Sequence, residues 1–194
     1  MVTGAFGDRE FAERIATGDV VIDFYRPVDI QLWWFGHWIG KVTWLALARG
    51  VPPVLLGALT FDLYWPTAPW LWLFFAVSVL LASVLGFGIR FLSNLTAFWL
   101  LDNRGVDQMV TVAIYFFAGL LLPLNLFPAW LETIARALPF ASMIQLPTEL
   151  YVGLHSPATA AVTVGQQLLW AVVLIVAGRF VLAAATRRIV VQGG

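Results

Sequence analysis

Three stretches of the chain carry no Asp, Glu, Lys or Arg at all: residues 70–89, 108–131 and 156–178, which are 20, 24 and 23 residues long. A hydrocarbon core of about 30 Å is crossed by about 20 helical residues, so each run predicts a membrane-spanning helix. None alternates in the manner of a barrel strand. A fourth apolar stretch lies between Lys41 and Asp62 and is interrupted by Arg49. A central arginine costs about 2.5–3.5 kcal/mol on insertion scales, which places Arg49 towards a membrane face or snorkelling to one. Pro52 and Pro53 follow directly and predict a kink or a helix start there. The expected spans are 42–64, 70–90, 107–125 and 160–181.

The polar positions divide the rest. Residues 9–17 predict a short amphipathic helix, with Phe11 and Ile15 on one face, Glu10 spaced to pair with Arg14, and Gly18 as its stop. Residues 19–29 hold three aspartates and Arg26-Pro27, a solvated connector before an aromatic stretch at 30–39. After Arg90, Phe91, Leu95, Phe98 and Trp99 share one helical face and predict a surface-lying element that ends at Asp102-Asn103-Arg104-Gly105. Pro123, Pro128, Pro139 and Pro147 break the stretch after the third run into pieces. Between them, residues 130–138 predict a small helix with Leu131, Ile134, Ala135 and Leu138 on one face and Glu132 paired to Arg136 opposite. Broken helices near a membrane surface need their free backbone groups buried in protein or lining a wet cavity. This predicts a gate or re-entrant plug over 126–155.

Composition strengthens the membrane reading. Of the 194 residues 61% are hydrophobic and only 11% charged, with a mean hydropathy of +0.87. Soluble domains are about 25% charged. The fold class expected is an all-α integral membrane protein of about four spans. With the N-terminus cytoplasmic, Arg9, Arg14, Arg26, Lys41, Arg90, Arg104, Arg187 and Arg188 fall inside, and the outer segments hold only Arg136. That follows the positive-inside rule, so both termini are expected in the cytoplasm. Residues 1–41 then form a cytoplasmic N-terminal segment and 42–194 a transmembrane domain. The polar N-terminus lacks the apolar core of a signal peptide.

Candidate chemistry is sparse. There is no cysteine, so neither a disulfide nor a cysteine-ligated metal is possible, and the formal net charge of zero implies no nucleic-acid partner. The histidines, His37 and His155, fall on opposite sides in this topology, and Glu149 with His155 is the nearest thing to an acid–base pair. Gly36 to Lys41 imitates a phosphate-binding loop, but three residues rather than four separate its glycines and Val42 stands where Ser or Thr must hold magnesium. No catalytic, cofactor or metal site is expected in this chain. Asp62, Arg90 and Arg179 sit near span ends, where snorkelling is a sufficient account. The sequon at Asn94 to Thr96 lies on the cytoplasmic side, where glycosylation is not expected.

One set of residues carries a family likeness. Residues 119–130 (GLLLPLNLFPAW), then Leu138-Pro139-Phe140 and residues 147–153, resemble the permeases of bacterial ABC-type drug and polysaccharide exporters, closest to their uncharacterised branch. Residues 15–19 leading to Arg26-Pro27-Val28, and the terminal residues 191–194, agree with it. The resemblance implies six spans, pairing as homo- or heterodimers, and two cytoplasmic ATPase subunits that supply ATP and magnesium. It implies a bacterial inner-membrane location, short cytoplasmic helices that relay closure of the ATPase, and external proline-rich helices at the exit of the path. Glu10, Glu13, Arg14, Asp19 and Arg26 are then the ATPase-coupling candidates. The external gate candidates are Pro123, Pro128, Trp130, Leu131, Ile134, Pro139 and Phe140. With four spans expected, the first two of the family pattern are missing, so Met1 is expected to be an internal start or the gene a shortened copy. A non-transporting scaffold or assembly factor derived from such a permease is the alternative reading.

Overall fold

A computed structural model describes residues 9–100 and 102–189. Every element among them is helical. Short helices α1 (Glu10–Thr17) and α2 (Val20–Phe24) precede α3 (Ile30–Leu45), which runs through a π turn at Ala46–Gly50 into α4 (Val51–Thr60). Helix α5 (Pro69–Leu95) ends in a 3₁₀ turn, and α6 (Arg104–Phe117) follows. Then come α7 (Ala129–Ala137), α8 (Gln145–Tyr151) and α9 (Pro157–Ile189). Among the described residues three helices are long and apolar enough to cross a membrane: Ile30–Thr60, Pro69–Phe98 and Pro157–Arg187. The chain is an all-α membrane protein.

Asp29 explains where the first of these begins. Its backbone is extended and its Oδ1 accepts a hydrogen bond from the Leu32 N–H at 2.9 Å, the N-cap that satisfies one orphan donor. The aromatic stretch therefore belongs to the first long helix, which starts at Ile30 rather than near residue 42. Its inward side, Gln31, Trp34 and Trp38, is buried. Trp38 donates to the Ser83 carbonyl at 3.0 Å, and Gln31 donates to the Ile175 carbonyl at 3.0 Å.

The third apolar run behaves differently from the expected span. Helix α6 has 14 residues, about 21 Å at 1.5 Å per residue and shorter than the expected span. It still carries the chain from the α1 end, where Asn103 accepts from Arg9 at 3.2 Å, to the α7 end, where Phe117 meets Phe140. Gly119 stops it with φ of 81°, a left-handed conformation that needs glycine. A Cβ there would also strike Oε1 of Gln145. The chain then folds back through 3₁₀ turns and α7 and α8 until α9 begins. The surface element expected after Arg90 is likewise absent as a separate piece, because α5 continues unbroken to Leu95.

Helices α5 and α9 form the central pair. Without a hydrophobic force between helices in lipid, small residues permit close approach. A Cβ on Gly88 would stand 2.7 Å from Cβ of Leu174. Three apolar clusters sit along this pair. One, at the α1 end, joins Phe11, Trp34, Phe87, Phe91 and Leu95. The second, built on Leu85, Ile89, Ile114 and Leu174, occupies the middle. The third, under α7, holds Leu124, Phe127, Ala135 and Ala141.

Candidate functional site

The two sets of candidate residues lie at opposite ends of the bundle. At the α1 end, Gly18 terminates α1 with φ of 84°, as its position predicts. Arg14 does not pair with Glu10. Its Nε and Nη2 instead reach Asp23 at 2.8 and 2.9 Å, and this hydrogen bond is the main reason its guanidinium titrates above the usual arginine range. Glu10 meets His37 at 3.1 Å. The Asp19 carboxylate accepts from the Thr17 hydroxyl at 2.9 Å. Arg26 lies 3.7 Å from Asp23 and over the Trp33 ring. Glu13 is exposed and carries no partner among the described residues. Phe11 stacks on Phe91 with centroids 5.4 Å apart and meets Trp34 at 4.9 Å, contacts worth about 0.5–1.5 kcal/mol each. So α1 is keyed into the base of α3 and α5, and four of the five coupling candidates have partners within the chain, although Glu10, Asp19 and Arg26 stay exposed.

Next to this end lies a buried ion pair that sequence reasoning assigned to snorkelling. Arg90 is 2% exposed; its Nη1 donates to Oδ1 of Asp107 at 2.7 Å and its Nη2 to the Thr111 hydroxyl at 2.9 Å. Arg179, read the same way, is paired with Asp29. Burial raises the Asp29 carboxyl, but the Arg179 and Leu32 hydrogen bonds outweigh it and leave it below the usual carboxylate range.

At the other end, the broken segment dips into the bundle. Its turn at Ala141–Met143 is buried against α5 and α9. Gln167 donates to the Ser142 carbonyl at 2.8 Å and lies 3.4 Å from the Ser78 carbonyl. Ser78 and Gln167 are nine and ten residues inside their helices, about 14 and 15 Å below the helix starts. The segment therefore re-enters the bundle between α5 and α9. Helix α9 also supplies donors to the free end of α7: Gln166 Nε2 reaches the Arg136 carbonyl at 2.6 Å and Trp170 Nε1 the Ala137 carbonyl at 3.0 Å. These are C-terminal carbonyls with no intrahelical partner, and the half-buried Gln166 amide and Trp170 indole satisfy them.

One carboxylate ties the re-entrant pieces together. Glu149 accepts from Arg136 Nη1 and Nη2 at 3.1 and 2.9 Å, from Gln145 at 2.8 Å, and lies 3.1 Å from His155 Nε2. Burial pushes its pKa up, yet the Arg136 and Gln145 hydrogen bonds prevail and hold it below the usual range. The same pairing raises the Arg136 guanidinium. Arg136 also meets Glu132 at 2.8 Å, the pair its spacing predicts.

The gate candidates surround this knot. Pro128 precedes α7, Pro139 is buried after it, and Pro123 is exposed before the turn at Leu124–Leu126. Leu131 packs on the Leu124–Phe127 cluster, and Phe140 stacks on Phe117 with centroids 6.1 Å apart. Trp130 and Ile134 are 66% and 49% exposed, so Ile134 is not part of the buried face that periodicity assigns it. Gln166 and Gln167 are the residues missed, while Glu149 and Arg90 stand out in the sequence without the partners that packing gives them. The adjacent glutamines were visible as polar groups inside a charge-free run, where such groups are expensive and rarely idle.

Long apolar helices around a re-entrant segment, its free carbonyls answered by amides from within a span, define a multi-pass helical membrane protein with broken helices at one end. The chain belongs to the family described as ABC-2 family transporter protein, whose profile matches residues 2–193. It is thus a membrane permease component of an ABC transporter. No curated protein and no solved structure matches it.

Proposed function

We propose that the chain is the permease subunit of an ATP-driven exporter. It lies in a bacterial inner membrane with both termini cytoplasmic, lines the translocation path with a second protomer, and is powered by separate cytoplasmic ATPase subunits. The observation that carries this reading is the family match over residues 2–193. The absence of a phosphate-binding loop at residues 36–42 agrees with ATP and magnesium being held by the partner. The distribution of arginines supports the orientation.

In this arrangement α1 and α2 face the ATPase. Phe11, Trp34 and Phe91 give a rigid route from α1 into α3 and α5, and Glu10, Glu13, Asp19 and Arg26 are exposed to meet a partner. The open side of α6, a groove of about 540 Å³ lined by residues including Met109, Val112 and Phe116, offers a surface to a second protomer. Helices α7 and α8 form the outer gate.

Purification of a tagged chain from its native membranes tests this. The eluate is expected to contain a P-loop subunit and to hydrolyse MgATP, while the chain stripped of partners hydrolyses none. An eluate without ATP hydrolysis overturns the proposal.

A further inference from the structure

Arg49 shares the first long helix with one other charged residue, Lys41. The residues between Lys41 and Asp62 carry no other charge, and at 1.5 Å per residue Arg49 lies about 12 Å from the first and about 20 Å from the second. With a hydrocarbon core of about 30 Å, that is well inside the bilayer. Its side chain is exposed, and no described residue pairs with it. Arginine does not shed its charge to escape, so the guanidinium needs an anion from outside the chain.

The local backbone is unusual at the same point. Arg49 sits in the π turn Ala46–Gly50, where the Val51 N–H reaches back to the Ala46 carbonyl. Pro52 and Pro53 then have no N–H to offer the preceding turn. Single π turns within α-helices occur frequently at functional sites. Beside this turn a groove of about 420 Å³ runs between the first long helix and α5, lined by Trp38, Leu45, Arg49, Ala82 and Met143 among others. Apart from Arg49 and Ser83 its walls are apolar. Helical side chains lean towards the N-terminus of their own helix, which carries the guanidinium towards Leu45 and the groove.

We propose that this groove is a binding site for an anionic phospholipid of the surrounding bilayer, its phosphate on Arg49 and an acyl chain in the groove. The long arginine stem snorkels towards the nearer headgroup layer, the direction in which its helical lean already points, and an amphiphile entering sideways from lipid brings its phosphate to meet it. Pairing with phosphate offsets the cost of a buried guanidinium through charge-assisted hydrogen bonds. The inference requires only that the chain spans the membrane, and it stands apart from the transport reading.

Native mass spectrometry of the full chain in neutral detergent tests it, with phosphatidylglycerol and phosphatidylcholine as competing probes. The native chain is expected to retain phosphatidylglycerol in preference. In Arg49→Leu that preference falls about tenfold, the scale of one lost charge-assisted contact, and Arg49→Lys keeps part of it. Ala82→Phe, which fills the groove without touching the charge, lowers retention of both lipids. Arg104→Gln, at an exposed arginine outside the groove, leaves the preference intact. An unchanged preference in Arg49→Leu overturns the proposal. So does an equal loss in Arg104→Gln, which reports general surface charge. A loss in Arg49→Leu that accompanies dissociation of a dimer also overturns it, assigning the anion to a carboxylate of a second copy.

Discussion

Oδ1 of Asp107 accepts a 2.7 Å hydrogen bond from Nη1 of Arg90, joining α5 to α6 where Arg90 is almost entirely closed off. Taking away one member leaves the other charged and buried. Arg90→Leu or Asp107→Leu alone is expected to cost about 3–5 kcal/mol, whereas the double replacement costs much less. Thermal unfolding in detergent measures all three variants. A double variant as unstable as the sum of the singles contradicts the pairing.

The Glu149 knot makes a pH prediction. Its carboxyl titrates lower in the folded chain than the ordinary value of 4.5, so it contributes stability that is fully present above that pH. The contribution is lost as pH falls through the lower, folded value. The native chain should therefore lose thermal stability below pH 4.5 more steeply than Glu149→Gln, which has no proton to take up. Parallel pH profiles for the two proteins count against the knot.

Gln167 is expected to matter more than an exposed glutamine. Gln167→Leu keeps the volume but strands the Ser142 carbonyl, and an unsatisfied buried group costs about 1–3 kcal/mol. Proteolysis of the segment between α7 and α8 in detergent is the readout, faster cleavage being expected for Gln167→Leu. Cleavage at the native rate removes the claim that this amide holds the re-entrant turn.

Sidedness is open to a direct measurement, since the chain contains no cysteine. An impermeant thiol reagent applied to intact cells should label a cysteine placed at Leu154, which is 73% exposed, and not one placed at Glu13. Labelling at position 13 without lysis reverses the proposed orientation.

The gate reading predicts a separation of effects. Leu131→Asp puts a charge against the Leu124–Phe127 cluster and is expected to abolish export while ATPase binding persists. Ile134→Asp, at a half-exposed position, should be much milder. Equal export by Leu131→Asp and the native chain makes α7 a passive loop.

Charge-free runs made α5 and α9 legible, because length and apolarity suffice to mark a span. Pro128 and Glu132–Arg136 likewise marked α7 to within a residue or two. The ends of the spans were obscured for a different reason. Arg90 and Arg179 look like interfacial charges in one dimension, and only packing brings Asp107 and Asp29 opposite them. Arg14 has two carboxylates within reach along the chain, and the turn at Gly18 selects Asp23 over Glu10. The shortness of α6 was written in Gly119 and Pro123, yet its apolar continuation through Leu120, Leu121 and Leu122 imitates a full span.

The close contact at Gly88 and Leu174 has a mechanical consequence. Two helices packed backbone to backbone bend together, so α5 and α9 act as a stiff beam between the ends of the bundle. Helix α4, with no buried residue, hangs from the π turn as a free cantilever. In the proposed coupling, a push delivered at Phe11 is carried lengthwise by the beam to the turn at Ser142, while the tip of α4 deflects sideways without disturbing it.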